Sequence, residues 1–412
     1  MRIGHRALPA VLAAAALIVA ACSDAGTVSD PTASSSAALP TRTEPTELSP
    51  VIASVLAPPI PVPATDGRIH LAYELVLTNP LASPTVVKSI TSIGDGRTLQ
   101  SITGDDIKVW MHVMGAAAPT DVLGPGQGAL VLVDAVVDTE ADIPDSIEHT
   151  IDIDVATPMP PLIPATVSEH QVGRSLVDRQ EVVQIKPPLG GSHWLDGDSC
   201  CEPGAHRSAV SPLNGRLFAP ERFAIDYVQL RDDGRLFDGD RADVASYAYY
   251  GTEVYAVGEG PVVAVVTDLP EQVPGVPPQG LELAAYGGNH IVQDLGDGRY
   301  AFYAHLQGGD GVKVKVGDHL ETGQVIGLLG NSGNTDAPHL HFHIMDGPDP
   351  LAANGLPFEI ESFDLESRIV DAANLDALLD GAPAQYAPGV DAGSRSDESP
   401  LVRDVMGYTV DK

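Results

Sequence analysis

Basic residues are scarce in this chain of 412 residues: 23 Lys and Arg stand against 56 Asp and Glu, a formal net charge of −33. No basic stretch occurs beyond the first few residues. That excludes nucleic acid as a partner, since neutralising phosphates takes clustered Lys and Arg. It also leaves an anionic membrane surface without electrostatic hold on the chain. Sustained helical periodicity is missing too, and across 190–350 no segment keeps a 3.6-residue period for more than two turns. Cysteine is nearly absent, with Cys22 and the adjacent pair Cys200-Cys201 the only three. Neighbouring cysteines can close only an eight-membered ring. The pair is therefore open to three readings: a disulfide in an oxidising compartment, two free thiols, or a thiolate metal ligand.

What is present begins at the N-terminus. Arg2, His5 and Arg6 precede an apolar run from Ala7 to Ala21, broken only by Pro9. The run is too short to span a bilayer comfortably and stops at small residues, so residues 1–21 read as a secretory signal peptide. Val19-Ala20-Ala21-Cys22 resembles a bacterial lipobox. In that motif the chain is cut before the cysteine, whose thiol carries diacylglycerol. The resemblance implies lipidation at Cys22, and a chain held outside the cytoplasm at the bacterial cell membrane by its N-terminal lipid. Residues 22–50, rich in Ser, Thr, Pro and Ala, lack apolar periodicity and read as a disordered tether.

An all-β fold is expected beyond the tether. In 51–185, His70–Thr78, Ala129–Val133 and Ile151–Val155 read as short strands between Pro, Gly and Asp turns. Strands of that length and spacing fit an immunoglobulin-like β-sandwich. His70, His112 and His149 stand alone there, and the segment reads as a spacer or binding module. Residues 190–365 carry glycine-punctuated β runs, including Gly288–Val292, Arg299–Leu306 and Gly323–Gly327, and predict a compact antiparallel β domain. Past residue 365, one short helix is expected over Val370–Leu379, and the tail 366–412 is otherwise expected to be mostly disordered.

Eight of the thirteen histidines fall between His193 and His343. The densest group is Pro338-His339-Leu340-His341-Phe342-His343-Ile344. Alternate side chains of a strand share a face, so the three imidazoles point one way and Leu340, Phe342 and Ile344 point into a core. Converging imidazoles are costly to bury dry, and zinc accounts for them, since neutral imidazole is among its commonest ligands.

The string Gly330-Asn331-Ser332-Gly333-Asn334-Thr335-Asp336-Ala337-Pro338-His339-Leu340-His341-Phe342 resembles the signature of lysostaphin/LytM-type zinc peptidases, which are peptidoglycan endopeptidases. Tyr303-Ala304-His305-Leu306 is similar to that family's second histidine motif, and the hairpin over 316–327 matches the segment between the two. The resemblance implies zinc as cofactor, His341 as a ligand, and His305 and His339 as the catalytic histidines. Peptidoglycan peptides, cut in the stem or cross-bridge, are the implied substrate.

The family's first motif, His-x-x-x-Asp, supplies the other two ligands, and here the chain departs from it. Arg222-Phe223-Ala224-Ile225-Asp226 keeps the aspartate but has arginine where histidine is expected. Arginine has no lone pair to offer a metal. The substitute expected is His206, with His193, Cys200, Cys201 and His290 as rivals, giving His206, Asp226 and His341 as the metal set. The alternative is a degenerate, non-catalytic domain that binds cell wall or regulates a partner hydrolase. A lipoyl-like carrier is a further rival, but its hairpin needs a lysine at the tip, where this chain has His319-Leu320-Glu321-Thr322.

Overall fold

Ile69–Thr78 pairs with Gly128–Val137 along its full length, and this ladder is the spine of the N-terminal half. The computed structural model describes residues 48–410, with Leu39, Thr43 and Thr46 ahead of them; the expected signal segment, Cys22 and most of the tether lie outside the described residues. Ile52–Val55 and Met111–Val113 flank the spine to complete one antiparallel sheet, with Val62–Pro63 at its side. Thr166–Leu176, Ser146–Val155, Thr85–Gly94 and Arg97–Thr103 make a second. Leu71, Tyr73, Leu75 and Leu77 of the first sheet share one apolar core with Val87, Ile90, Ile151 and Ile153 of the second, so the two form a sandwich.

The other face of the Ile69–Thr78 strand carries His70, Ala72 and Glu74, and it too is buried. Antiparallel sheets usually leave that face to water. Here the C-terminal half covers it: Ala72 and Val62 share an apolar cluster with Cys200, Cys201 and Phe223. His70 sits among these residues with Nδ1 3.0 Å from Asp134 and Nε2 3.3 Å from Asp66. Burial lowers its pKa, but the two carboxylates outweigh burial and raise it to about 9. Since the folded pKa exceeds the unfolded one, the stabilisation is complete below about pH 6.5 and is lost as pH rises through about 9. Wild type is expected to lose on the order of 3 kcal/mol more than His70→Gln over that interval. Urea unfolding at pH 6 and pH 9 checks it, and parallel pH curves for the two proteins would contradict it.

In the C-terminal half one long antiparallel sheet dominates. Its order is His319–Leu320, Gly260–Val266, Asn289–Gly296, Arg299–Leu306, Leu340–Met345, Ile225–Gln229, Gly191–Asp196, Asp404–Tyr408, Phe363–Arg368 and Gly393–Arg395. Leu340, Phe342 and Ile344 enter the main core with Tyr303, Ile225 and Tyr227, as the strand reading requires. Among the described residues helix is limited to short pieces, the longest Ala372–Leu379, where the expected one lies. Asp371 caps it by accepting from the Asn374 N–H at 2.8 Å.

The expectation of a mostly disordered tail over 366–412 is corrected. Asp404–Tyr408 is a fully buried strand between Gly191–Asp196 and Phe363–Arg368. Its Val405, Met406 and Tyr408 join the main core, and Arg368 holds the buried Asp404 at 2.6 Å. The strand is only five residues long and follows a Ser-, Asp- and Gly-rich stretch, so no periodicity announces it. The C-terminal sheet therefore extends well past residue 365.

Candidate metal centre

Register brings the first two side chains together. Ile225–Gln229 pairs antiparallel with Leu340–Met345 so that Asp226 lies directly opposite His341. Residues facing each other across a ladder have Cβ atoms about 5 Å apart on one face of the sheet. Asp226 Oδ1 is accordingly 2.9 Å from His341 Nδ1. The other nitrogen of His341 is 3.0 Å from His343 Nδ1. When His341 Nε2 donates to His343, its Nδ1 is left with a bare lone pair aimed at a carboxylate. That pairing is repulsive unless a proton or a cation lies between them.

His206 arrives from a loop. Gly197 and Asp198 bracket Asp226 by backbone bonds, the Gly197 N–H to Asp226 O and the Asp226 N–H to Asp198 O. The chain then leaves the sheet and returns through the short helix Ala205–Ser208. The Asp198 carboxylate accepts the His206 N–H at 3.2 Å. Gly204 packs closely beside it, and a Cβ there would lie 2.6 Å from Asp198 Oδ1 and push that carboxylate aside. The His206 ring donates Nδ1–H to Ala224 O at 3.1 Å, which turns Nε2 toward Asp226 Oδ2, 3.3 Å away. His206, Asp226 and His341 thus offer one donor atom each, all within 4.8 Å of one another.

His305 reaches the same face through a break in its strand. The Asn289–Gly296 and Arg299–Leu306 ladder shifts register between Asn289 and Ile291, so Ala304 and His305 together oppose His290. Such a bulge re-aims a side chain that alternation would send into the core. His305 also has φ of +60°, a left-handed backbone unusual for a non-glycine residue and often found at functional sites. Its Nδ1–H donates to Ser332 O at 2.7 Å, leaving Nε2 for the cleft. Ser332 is brought there by Gly288 and Gly333. A Cβ on Gly288 would sit 2.2 Å from Ser332 O, and one on Gly333 would sit 2.2 Å from Gly288 N. His339 Nδ1–H donates to Ala337 O at 2.8 Å, and its Nε2 lies 3.4 Å from Asp226 Oδ1. A second donor group, His305, His339 and His341, therefore overlaps the first at His341.

Burial and charge split these groups. Burial pushes the Asp226 carboxyl up, but His206 and His339 beside it hold it well below its ordinary value. Burial pulls His206 down, and the carboxylates of Asp226 and Asp198 more than reverse this. His305 goes the other way: burial, then His339 and His341, hold it well below the ordinary imidazole range, so it stands neutral. His343 is likewise kept neutral by burial and by His341. The floor of a cavity of about 900 Å³ carries this cluster. Leu236, Leu283 and Tyr286 line the cavity with Leu375, Leu378 and Leu379 of the C-terminal helix. Arg241 ties two sides of the rim, pairing with Asp336 at 3.3 Å and Asp380 at 2.8 Å.

The structure thus gathers His206, Asp226, His305, His339 and His341 in one place. His193 is not among them: it is half-exposed and lies 3.6 Å from Glu366. Cys200 and Cys201 are joined to each other as a disulfide and offer no thiolate. His290 lines the cleft but belongs to neither donor group, its Nδ1 2.8 Å from Gly288 O. Arg222 turns out of the site altogether and pairs with the buried Glu74 of the sandwich. His343 shares the face of its two neighbours as the strand spacing requires, though no role was assigned to it, and two contributors were not singled out from sequence: Asp198 and the Ala224 carbonyl, which carry no sequence signal.

Residues 242–353 match the sequence model of Peptidase family M23. The match holds His305, His339 and His341 and begins after His206 and Asp226. Among curated proteins, the peptidoglycan DD-endopeptidase ShyA of Vibrio cholerae is 33% identical over 103 residues, 25% of this chain and 20% of that protein. Lysostaphin of Staphylococcus simulans is 45% identical over 60 residues, 14% of this chain and 12% of its own length. The glycyl-glycine endopeptidase ALE-1 of Staphylococcus capitis is 40% identical over 75 residues, 18% and 20% of the two chains. The chain therefore spans a fifth or less of these relatives. Among solved structures, the catalytic domain of lysostaphin from S. simulans aligns at 26% identity over 35% of this chain and 80% of that one, with a TM-score of 0.22. An M23 catalytic domain, EnpA from Enterococcus faecalis, aligns at 21% over 42% and 92%, with a TM-score of 0.25. The segment that carries His305, His339 and His341 is thus similar to Peptidase family M23, and two of the curated relatives are named as endopeptidases, one of peptidoglycan and one of glycyl-glycine.

Proposed function

We propose that the C-terminal half, from about residue 190, is a zinc-dependent endopeptidase that hydrolyses peptide bonds of peptidoglycan, in the stem or the cross-bridge. One observation carries the reading: His206, Asp226 and His341 converge within 4.8 Å at the floor of a large cleft, beside two further histidines. Two imidazoles and a carboxylate form a donor set suited to zinc, with a position left for water or substrate. Asp226 Oδ1 stands 2.9 Å from His341 Nδ1, close enough for the two atoms to share one cation. With its Nδ1 given to a metal, His341 would carry its proton on Nε2 and donate it to His343 Nδ1, 3.0 Å away, which steadies the ring from behind. The chemistry a bound zinc supplies is polarisation of a carbonyl, together with a water acidic enough to ionise near neutral pH.

The chain's own residues do the rest. His305 is neutral, and its Nε2 faces the cleft, so it can take a proton from the attacking water and hand it on to the leaving amine. His339, with a raised pKa beside Asp226, can donate to the oxygen on which negative charge develops. The lines of support converge on a peptidase: the M23 match, the endopeptidase relatives and the intact donor set. In the same reading residues 51–185 form an immunoglobulin-like sandwich, and lipid on Cys22 holds the chain outside the cytoplasm through the tether over 22–50.

The test is digestion of purified peptidoglycan by the zinc-loaded chain, with new amino termini identified by mass spectrometry. Chelation should abolish release and zinc should restore it; release that persists without metal, or none with it, refutes the activity. For the anchor, Cys22→Ala should leave the membrane fraction, and unchanged retention would count against lipidation.

A further inference from the structure

Glu74 stands in the middle of a sandwich strand, yet its carboxylate serves the other half of the molecule. It is fully buried, and so are the two arginines it faces: side-chain exposure is 0% for Glu74, 0% for Arg207 and 3% for Arg222. Arg222 Nη2 bonds Glu74 Oε2, and Arg207 Nε lies 3.6 Å from Oε1. The Arg207 guanidinium also reaches backbone carbonyls across the boundary, its Nη2 donating to Tyr73 O at 3.2 Å and Val133 O at 3.1 Å, on two paired sandwich strands. A third bond, to Cys201 O at 2.7 Å, ties it to the loop it grows from.

The positions of these arginines are what matters. Arg207 follows His206 on the same short helix, and Arg222 precedes Asp226 by four residues. Between Arg222 and Asp226 lies Ala224, whose carbonyl orients the His206 ring. The two segments that bring His206 and Asp226 are therefore each pinned by one arginine, and both arginines converge on one carboxylate of the sandwich. Buried charge of this kind is costly unless it is fully paired, and losing one partner strands the others.

We propose that Glu74 is a positioning residue of the metal centre, so that the N-terminal sandwich is part of the catalytic unit rather than a spacer. The proposal rests on the metal-site reading given above. In it, Arg222 does not leave a gap where a ligand should be; it closes a clamp that sets the spacing between His206 and Asp226. Glu74 acts only through Arg207 and Arg222 and need not touch metal or substrate.

Zinc affinity of the purified full chain, measured by competition with a chromophoric chelator, tests this. The visible spectrum of the cobalt-substituted chain reports the donor geometry alongside. Glu74→Gln is expected to weaken zinc by roughly ten- to a hundredfold, as outer partners of metal ligands do, and to alter the cobalt bands. Because that variant leaves two buried arginines unpaired, a second one, Glu74→Met with Arg222→Met, removes a charge of each sign and keeps the volume. It should fold and still bind zinc at least about tenfold more weakly. Arg368→Met is the control. It breaks another tie between the halves, the bond to Thr65 at 3.2 Å, together with the pair to Asp404 inside the C-terminal sheet at 2.6 Å, without touching either ligand segment, and should bind zinc as wild type does. Wild-type affinity in either folded Glu74 variant, or equal weakening in Arg368→Met, overturns the positioning role. A wild-type chain that binds no metal overturns the metal-site reading as well.

Discussion

His206→Ala is expected to lose zinc along with all hydrolysis, and Asp226→Ala to do the same. The loss should exceed the ten- to hundredfold in affinity that removing an outer partner costs, because a first ligand is gone from a site that has only three. The competing outcome is concrete. His305, His339 and His341 form a second group of donors sharing His341, and a metal seated there would not need His206 at all. Charge favours the first group: Asp226 is the one anion among the five, and it is held ionised well below the ordinary carboxylate range. A dication gains most where that carboxylate can reach it. Zinc content by mass spectrometry, with circular dichroism to show the fold intact, decides. Full zinc in His206→Ala would end the idea of a relocated ligand.

The meeting of His206 with Asp226 and His341 shows where sequence reading reached and where it stopped. The face shared by His339, His341 and His343 follows from the two-residue period of a strand, and the structure puts Leu340, Phe342 and Ile344 in the core as that period demands. His206 is harder to see. It lies twenty residues from Asp226 and meets it only because Gly197 and Asp198 hold the loop's base beside Asp226 and the Ala224 carbonyl turns the ring. Nothing local in the sequence encodes that return. The fate of Arg222 was hidden for the same reason, since its partner Glu74 is 148 residues away in the sandwich. A carboxylate in the middle of a mostly apolar strand, at Glu74, was the one available hint. The buried strand Asp404–Tyr408 was missed on other grounds: it gains its place from two neighbouring strands, not from its own pattern.

His305→Asn is expected to keep its zinc and lose hydrolysis, with kcat falling by roughly a hundred- to ten-thousandfold, the usual contribution of a positioned acid or base. Asparagine is the informative replacement. His305 has φ of +60°, and asparagine tolerates that left-handed backbone better than most residues, so the bulge that aims position 305 at the cleft survives. Alanine there would mix a backbone effect with the loss of the imidazole. The side chain's task follows from its bonds. Nδ1–H is committed to Ser332 O at 2.7 Å, so the tautomer is fixed and Nε2 is the free base. Burial together with the neighbouring histidines keeps the ring neutral, ready to accept a proton rather than already holding one. None of this requires His305 to touch the metal, and the ring centroids place it closer to His339, at 4.5 Å, than to His341, at 5.8 Å. Zinc stoichiometry and turnover measured on the same preparation separate the roles. Zinc lost together with activity would move the metal into the His305–His339–His341 group and make His305 a ligand; zinc kept with turnover unchanged would remove His305 from the reaction.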